Sequence, residues 1–319
     1  MYAGNLNTKR QVSTTRLLDS NTTHWTPADN MRQMQRTDDA FNARDFGAAF
    51  NHHPNITVYN PMNSVMNLAE HLQDLRLTFS TYSDAAPHNH DYRVVFAEGD
   101  WTVAATRAAG TNDGPLQGPT GEFLPPTDKP VAYSILTVAH WQDGLILEEY
   151  LWSDLPNIEL NAYSAPLSTS PSLDSTQANK VALKESDDAF NAGNFTAESM
   201  RLSANVTVYG LNDDGLNLQG YLNELDNLRT AFPDLRLENE PYTQVIAQGD
   251  WTATVTTLSG THKGPLVLPA YLAEAPIQAS GKKFKLLHYN IARWQDGEII
   301  EMKVFVDTFG ILTALGISF

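Results

Sequence analysis

The chain contains no cysteine. That absence removes disulfides, thiolate nucleophiles and thiolate metal ligands, while leaving the compartment open. Positive charge is scarce: 21 Lys and Arg stand against 37 Asp and Glu, a formal net charge of −16. A surface of that sign is repelled by phosphate backbones and anionic membranes, so neither nucleic acid nor a membrane is expected as a partner. No stretch approaches the roughly 20 apolar residues of a membrane span. Residues 1–23 form a polar leader that carries Lys9, Arg10 and Arg16 and lacks the apolar centre of a signal peptide. The expectation is an intracellular, cytoplasmic protein. There is also no HExxH helix, no glycine-rich phosphate loop of the right spacing and no defensible Ser-His-Asp order.

What is present is a duplication. Gly99-Asp100-Trp101-Thr102 recurs as Gly249-Asp250-Trp251-Thr252, each followed by Gly-Thr and then Gly-Pro-Leu, at Gly110 to Leu116 and Gly260 to Leu266. Upstream, Asp38-Asp39-Ala40-Phe41-Asn42-Ala43 returns as Asp187-Asp188-Ala189-Phe190-Asn191-Ala192; downstream, Trp141-Gln142-Asp143-Gly144 returns as Trp294-Gln295-Asp296-Gly297. Landmarks in one order at an offset of about 150 residues describe whole repeated domains. With 319 residues, 42% of them apolar, the chain has the material for two ordinary cores. The boundaries read as a leader over 1–23, a first domain over 24–163, a Ser/Pro-rich linker over 164–175 and a second domain over 176–319.

Within each copy the local pattern is helices first and strands after. Thr26-Pro27 reads as an N-cap with proline in the first turn, and Met31, Met34, Ala40 and Phe41 mark one apolar face. Asn55 to Tyr59 and Asn205 to Tyr209 alternate and are rich in β-branched residues, as strands are. A second helix follows, with Leu218, Leu222, Leu225 and Leu228 spaced by three and four. From there hairpin-linked strands run to the end, turning at Gln248-Gly249-Asp250 and Gln295-Asp296-Gly297. The expected class is α+β, with an antiparallel-rich sheet wrapped around the N-terminal helices.

These residues resemble a known family. The run from the first helix through Gly-Asp-Trp-Thr, Gly-Thr-x-x-Gly, the Pro126 to Pro130 turn and Trp-x-Asp-Gly is similar to a SnoaL-like polyketide cyclase domain, of the nuclear transport factor two-like superfamily. Copy two ends Val306-Asp307-Thr308-Phe309-Gly310-Ile311-Leu312, matching the family's Asp-x-x-Gly-hydrophobic ending. Copy one departs from it after Asp154. The resemblance implies two tandem cone-shaped domains, each with a cavity. It further implies a cofactor-independent enzyme that performs proton transfer, aldol-type cyclisation or isomerisation on an apolar carbonyl compound.

On that resemblance Asp307 is the first candidate acid/base group, with Asp154 ranked below it. An apolar neighbourhood would raise either carboxyl toward neutrality, and no metal or cofactor is required if the substrate delocalises the enolate. The competing reading makes Asp307 the N-cap of a following helix. His288 and Asn290, two apart on a strand and so on one face, are candidates to hydrogen-bond a substrate carbonyl. His88, His90 and His140 are further candidates for binding. Tyr59 and Tyr209 are read as hydroxyl donors at the cavity mouth. His88 and His90 with Asp91 could chelate a metal, but copy two has no matching set, and no metal is expected. Hydrolysis by paired carboxylates and non-catalytic ligand binding are the rival functions. The duplicated sheets are expected to pair within one chain as a pseudo-dimer, with further homodimerisation possible.

Overall fold

The computed structural model describes residues 25–117, 123–153, 176–210, 215–268 and 275–317. The leader over 1–23, the linker over 164–175 and Asp154 lie outside the described residues.

The first repeat opens with α1 (Pro27–Asn42), started by a Thr26–Asp29 capping box with proline in its first turn. A 3-10 turn, Ala48–Phe50, leads to β1 (His52–Asn60) and a short return strand β2 (Ser64–Met66). Helix α2 (Leu68–Thr81) is capped by Asn67, whose side chain accepts from two backbone N–H groups. Then come β3 (Ala86–Pro87), β4 (Val94–Glu98), β5 (Trp101–Thr111), the small pair β6 (Leu116–Gln117) and β7 (Phe123–Leu124), and the long strands β8 (Pro130–Gln142) and β9 (Leu145–Ser153). The second repeat follows the same plan with α3 (Thr176–Ala192), β10 (Leu202–Tyr209), β11 (Leu216–Asn217), α4 (Leu218–Ala231), β12 (Arg236–Leu237), β13 (Gln244–Gln248), β14 (Trp251–Thr261), β15 (Lys283–Gln295), β16 (Glu298–Phe305) and α5 (Thr308–Ala314).

Each repeat builds one seven-stranded sheet, ordered β2-β1-β9-β8-β5-β3 with β4 also on β5, and β11-β10-β16-β15-β14-β12 with β13 also on β14. All pairings are antiparallel except β1 with β9 and β10 with β16, which bring the first strand of each copy beside its last. The β8–β9 hairpin turns at Asp143 and Gly144, both at positive φ (53° and 78°), which is why an Asp-Gly pair stands there. The result is an α+β architecture in two tandem copies.

Side-chain alternation gives each sheet two buried faces. The concave face holds the helices: Met34 of α1 packs with Ile56, Val58, Ala104 and Ala139 in the first repeat. The opposite faces of the two sheets meet, joining Val103, Leu136, Val138 and Trp152 to Trp251, Val255, Tyr289 and Phe305 in one apolar cluster. Its edges are tied by a near-symmetric exchange. The Ala97 N–H donates to Gln248 Oε1 (3.1 Å), and the Ala247 N–H donates to Glu98 Oε2 (2.9 Å). No described helix is long and apolar enough to cross a membrane.

Candidate functional site

In the first repeat the concave sheet and helices α1 and α2 enclose a cavity with about 920 Å³ of empty volume, its open mouth included. Its walls are largely apolar, with Phe41, Phe50, Leu75, Ile135 and Leu151 among them, yet five carboxyl or imidazole side chains reach it: Asp38, His52, His71, Asp74 and Glu149.

Each is placed by the period of its element. Glu148 and Glu149 are adjacent on β9, so only one can face the cone, and Glu149 does, opposite Val58 of β1. His71 and Leu75 share the buried face of α2. His52 opens β1, stacked on Phe50 with ring centroids 3.9 Å apart, and its Nδ1 lies 2.5 Å from the Phe50 carbonyl oxygen. A carbonyl oxygen only accepts, so Nδ1 is a donor there, and Nε2 faces Glu149 Oε2, 3.5 Å away. His71 stacks next to His52 at 5.3 Å, with its Nε2 3.9 Å from the same oxygen. All three side chains are at most 6% exposed, and His52 Nε2, Glu149 Oε2 and His71 Nδ1 have no hydrogen-bond partner among the described residues.

Burial and charge set the protonation of this cluster. Burial acts to raise Glu149, but its two imidazole neighbours, His52 foremost, outweigh it and hold the carboxyl below its ordinary range. Burial pushes His71 down to about 4, against the opposing pull of Glu149, so it is neutral at pH 7. Asp38 goes the other way. Burial lifts it to about 7, opposed by the hydrogen bond from Tyr92 (2.5 Å) and reinforced by the charge of Glu149. A carboxyl at that value both takes and gives protons at neutral pH.

The second repeat has a cavity of about 720 Å³ in the same place, with different walls. Asp187 repeats Asp38, accepting from Tyr242 (2.7 Å) and lifted by burial to about 7. The cluster is gone. By strand register Leu202 stands where His52 does and Met302 where Glu149 does, each beside the equivalent strand neighbour, while Tyr221 takes the place of His71 on α4.

The residues singled out from the sequence fall in several places. His288 and Asn290 both line the second cavity, with His288 Nδ1 and Asn290 Oδ1 unpartnered and burial driving His288 down to about 4. Asp307 is not in that lining. It is the N-cap of α5, accepting from the Gly310 N–H at 2.7 Å, and its other oxygen accepts from the Met62 N–H of the first repeat at 2.5 Å. Both oxygens are thus engaged by backbone N–H groups, as the capping reading expects. Tyr59 and Tyr209 point away from the cavities, because Val58 and Val208 take the inward positions of their strands. Tyr59 stacks on Tyr150 at 4.6 Å beside the inter-sheet cluster. His140 stacks on Trp101 on the outer face (4.7 Å), and His88 and His90 are exposed, with His90 paired to Asp39 at 3.1 Å.

The first cavity's polar groups were not among those candidates. The signal for them lay in comparing the copies: adjacent glutamates in an apolar strand, and histidines where the sister copy carries Leu202 and Tyr221.

A family model described as SnoaL-like polyketide cyclase matches the chain twice, over residues 31–160 and 180–315. No curated protein is similar to the chain. Solved structures similar to it include a putative SnoaL-like polyketide cyclase from Jannaschia Sp. CCS1, at 19% identity over 44% of this chain and 95% of that one with a TM-score of 0.37. IdmH, a putative polyketide cyclase from Streptomyces antibioticus, is 19% identical over 42% of this chain and 96% of its own, with a TM-score of 0.35. AclR, a putative hydroxylase from Streptomyces galilaeus, is 17% identical over 40% of this chain and 89% of its own, with a TM-score of 0.35.

Proposed function

The chain belongs to the SnoaL-like polyketide cyclase family, and from that premise we propose that its first repeat is an enzyme of proton transfer on an apolar carbonyl compound, completing an aldol-type cyclisation or an isomerisation. The observation that carries this reading is Asp38, a buried carboxyl on the wall of an apolar cavity that burial lifts to about 7 and Tyr92 orients. Asp187 repeats it in the second cavity, whereas leucine, methionine and tyrosine stand there at the His52, Glu149 and His71 positions, so the oxyanion-stabilising groups are confined to the first.

Asp38 is the proton carrier in this scheme. Its carboxylate takes a proton from the carbon beside a carbonyl, and the C–H electron pair moves onto the carbonyl oxygen as an enolate. The enolate carbon then attacks a second carbonyl of the same molecule or is protonated at another position, and Asp38 returns the proton. Tyr92, bonded to one Asp38 oxygen, orients the group. Neutral His71 supplies an N–H toward the developing oxyanion. The apolar walls keep water away from it.

The test is exchange of carbon-bound hydrogen for deuterium in D2O across a library of cyclic and linear diketones. Asp38→Asn is expected to lower the exchange rate by roughly 10² to 10⁴ while leaving the fold intact. Exchange undiminished in that variant would sink the assignment.

The second cavity keeps the proton carrier, as Asp187, but lacks the imidazole and carboxylate cluster. Two unpartnered polar atoms, His288 Nδ1 and Asn290 Oδ1, suit it to hold a ligand by one or two hydrogen bonds beside that carboxyl. The facing sheets support an internal pseudo-dimer in which the second repeat braces the first.

A further inference from the structure

We propose that His52, His71 and Glu149 form a binding site for a divalent first-row transition-metal ion inside the first cavity. Two imidazoles and one carboxylate are the donor set that such ions take, and three protein ligands leave positions open toward the cavity.

Four observations converge. The three ligand atoms lie within 4.8 Å of one another, with Glu149 Oε2 3.5 Å from His52 Nε2 and 3.9 Å from His71 Nε2. Metal–ligand bonds of about 2.0–2.2 Å place neighbouring ligands of a tetrahedral ion roughly 3.3 Å apart, so the edges to Glu149 close by about 0.2 and 0.6 Å and the edge between the two histidines by at most about 1.5 Å, movements that side-chain rotation supplies. Secondly, His52 has its Nδ1–H bound to the Phe50 carbonyl, the arrangement that fixes the tautomer of a ligating histidine and presents Nε2. Thirdly, His52 Nε2 and Glu149 Oε2 are buried, face each other and have no hydrogen-bond partner among the described residues, and His71 Nδ1 is unpartnered beside them. A cation between them would engage His52, Glu149 and His71 together, which a single proton cannot. Finally, the sister cavity loses all three ligands together, to Leu202, Tyr221 and Met302. That is how a site replaced as a unit looks.

The inference revises the expectation that this cavity works without a metal. Its chemical use rests on the proton-transfer reading: the ion would face the carbonyl oxygen in place of the His71 N–H, while Asp38 keeps its task. Binding itself rests on neither.

The experiment is a titration of the full-length, chelator-stripped protein with Co²⁺ alone and then Zn²⁺ alone, read by visible absorption, calorimetry and metal analysis. One equivalent is expected, with the d–d bands of a low-coordinate cobalt site. His52→Leu, His71→Tyr and Glu149→Met each install the residue that the second repeat already accommodates, which favours folding. Each is expected to weaken uptake by more than about a hundredfold, since losing a residue that merely orients a ligand already costs roughly ten- to a hundredfold. Should one of them fail to fold, Glu149→Gln removes the charge at constant size and reads the same loss. His88→Ala, on an exposed histidine, keeps full uptake. No uptake by the parent, or uptake unchanged across the three ligand variants, overturns the site. Asp38→Asn separates the two ideas: it abolishes exchange and keeps Co²⁺, whereas failure of the metal site leaves Asp38-dependent exchange standing.

Discussion

His288 and Asp187 face one cavity and pull the stability of the second repeat in opposite directions as pH changes. Asp187 has its folded value raised to about 7 by burial, above the ordinary 3.8, so the fold favours its neutral form. Stability from this group is complete at about pH 3.8 and below, and is lost as pH rises toward 7. His288 is lowered to about 4 from 6.5, again favouring the neutral form, so its contribution is complete above 6.5 and is lost as pH falls toward 4. Each swing is on the order of 3 kcal/mol. In urea unfolding followed from pH 4 to 8, Asp187→Asn should gain on the parent toward pH 8 and His288→Gln should gain toward pH 4. Slopes that match the parent's would show that these groups are not buried as described. At this scale the sequence revealed residue types but not always their directions. The pairing of His288 with Asn290 was legible because two residues apart on a strand share a face. The capping use of Asp307 was legible too, but its second partner was not, because the Met62 N–H that takes its other oxygen lies 245 residues away in the chain.

At the scale of elements, α5 is a seven-residue helix that depends on its cap. Asp307→Ala is expected to cost about 1 kcal/mol for the lost cap, and more for the Met62 N–H left without its acceptor. Asp307→Asn keeps an oxygen for the Gly310 N–H and should cost less. Both should retain deuterium exchange. Exchange lost in Asp307→Asn with stability unchanged would restore Asp307 as the acid/base group. Helices and hairpins were the most legible elements, since Thr26-Pro27 and the Asp-Gly turns act through neighbours in sequence. The parallel pairing of β1 with β9 was not legible, because nothing local records that the first strand of a copy lies beside its last. Yet that pairing carries Glu149 past Val58 and His52 past Ile146, and so assembles the cluster.

For the whole molecule, the meeting of the two sheets dominates. Phe305 is fully buried there, edge-on to Trp152 of the other repeat at 4.9 Å. With so much apolar surface shared, the parent should melt in one calorimetric transition. Phe305→Ala should cost about 3–5 kcal/mol and split the melting into two transitions. Two transitions in the parent would mean that the repeats unfold independently. The duplication itself was plain in the sequence. Which copy holds the ionisable cluster was not, because its members come from three elements, β1, α2 and β9, that only the folded sheet brings together.

The tie between Asp307 and Met62 bears on how such a chain can change over time. Met62 and Asn63 sit at positive φ (60° and 56°), next to Asn60 and Pro61 on the wall of the first cavity. The second repeat holds both, through Asp307 on the Met62 N–H and the Lys285 carbonyl on the Asn63 side chain (2.9 Å). Deleting the second repeat would release the rim of the first cavity and bare the sheet behind it. A duplication of this kind is hard to reverse: the single-domain form is no longer one deletion away, because each half has become part of the other's wall.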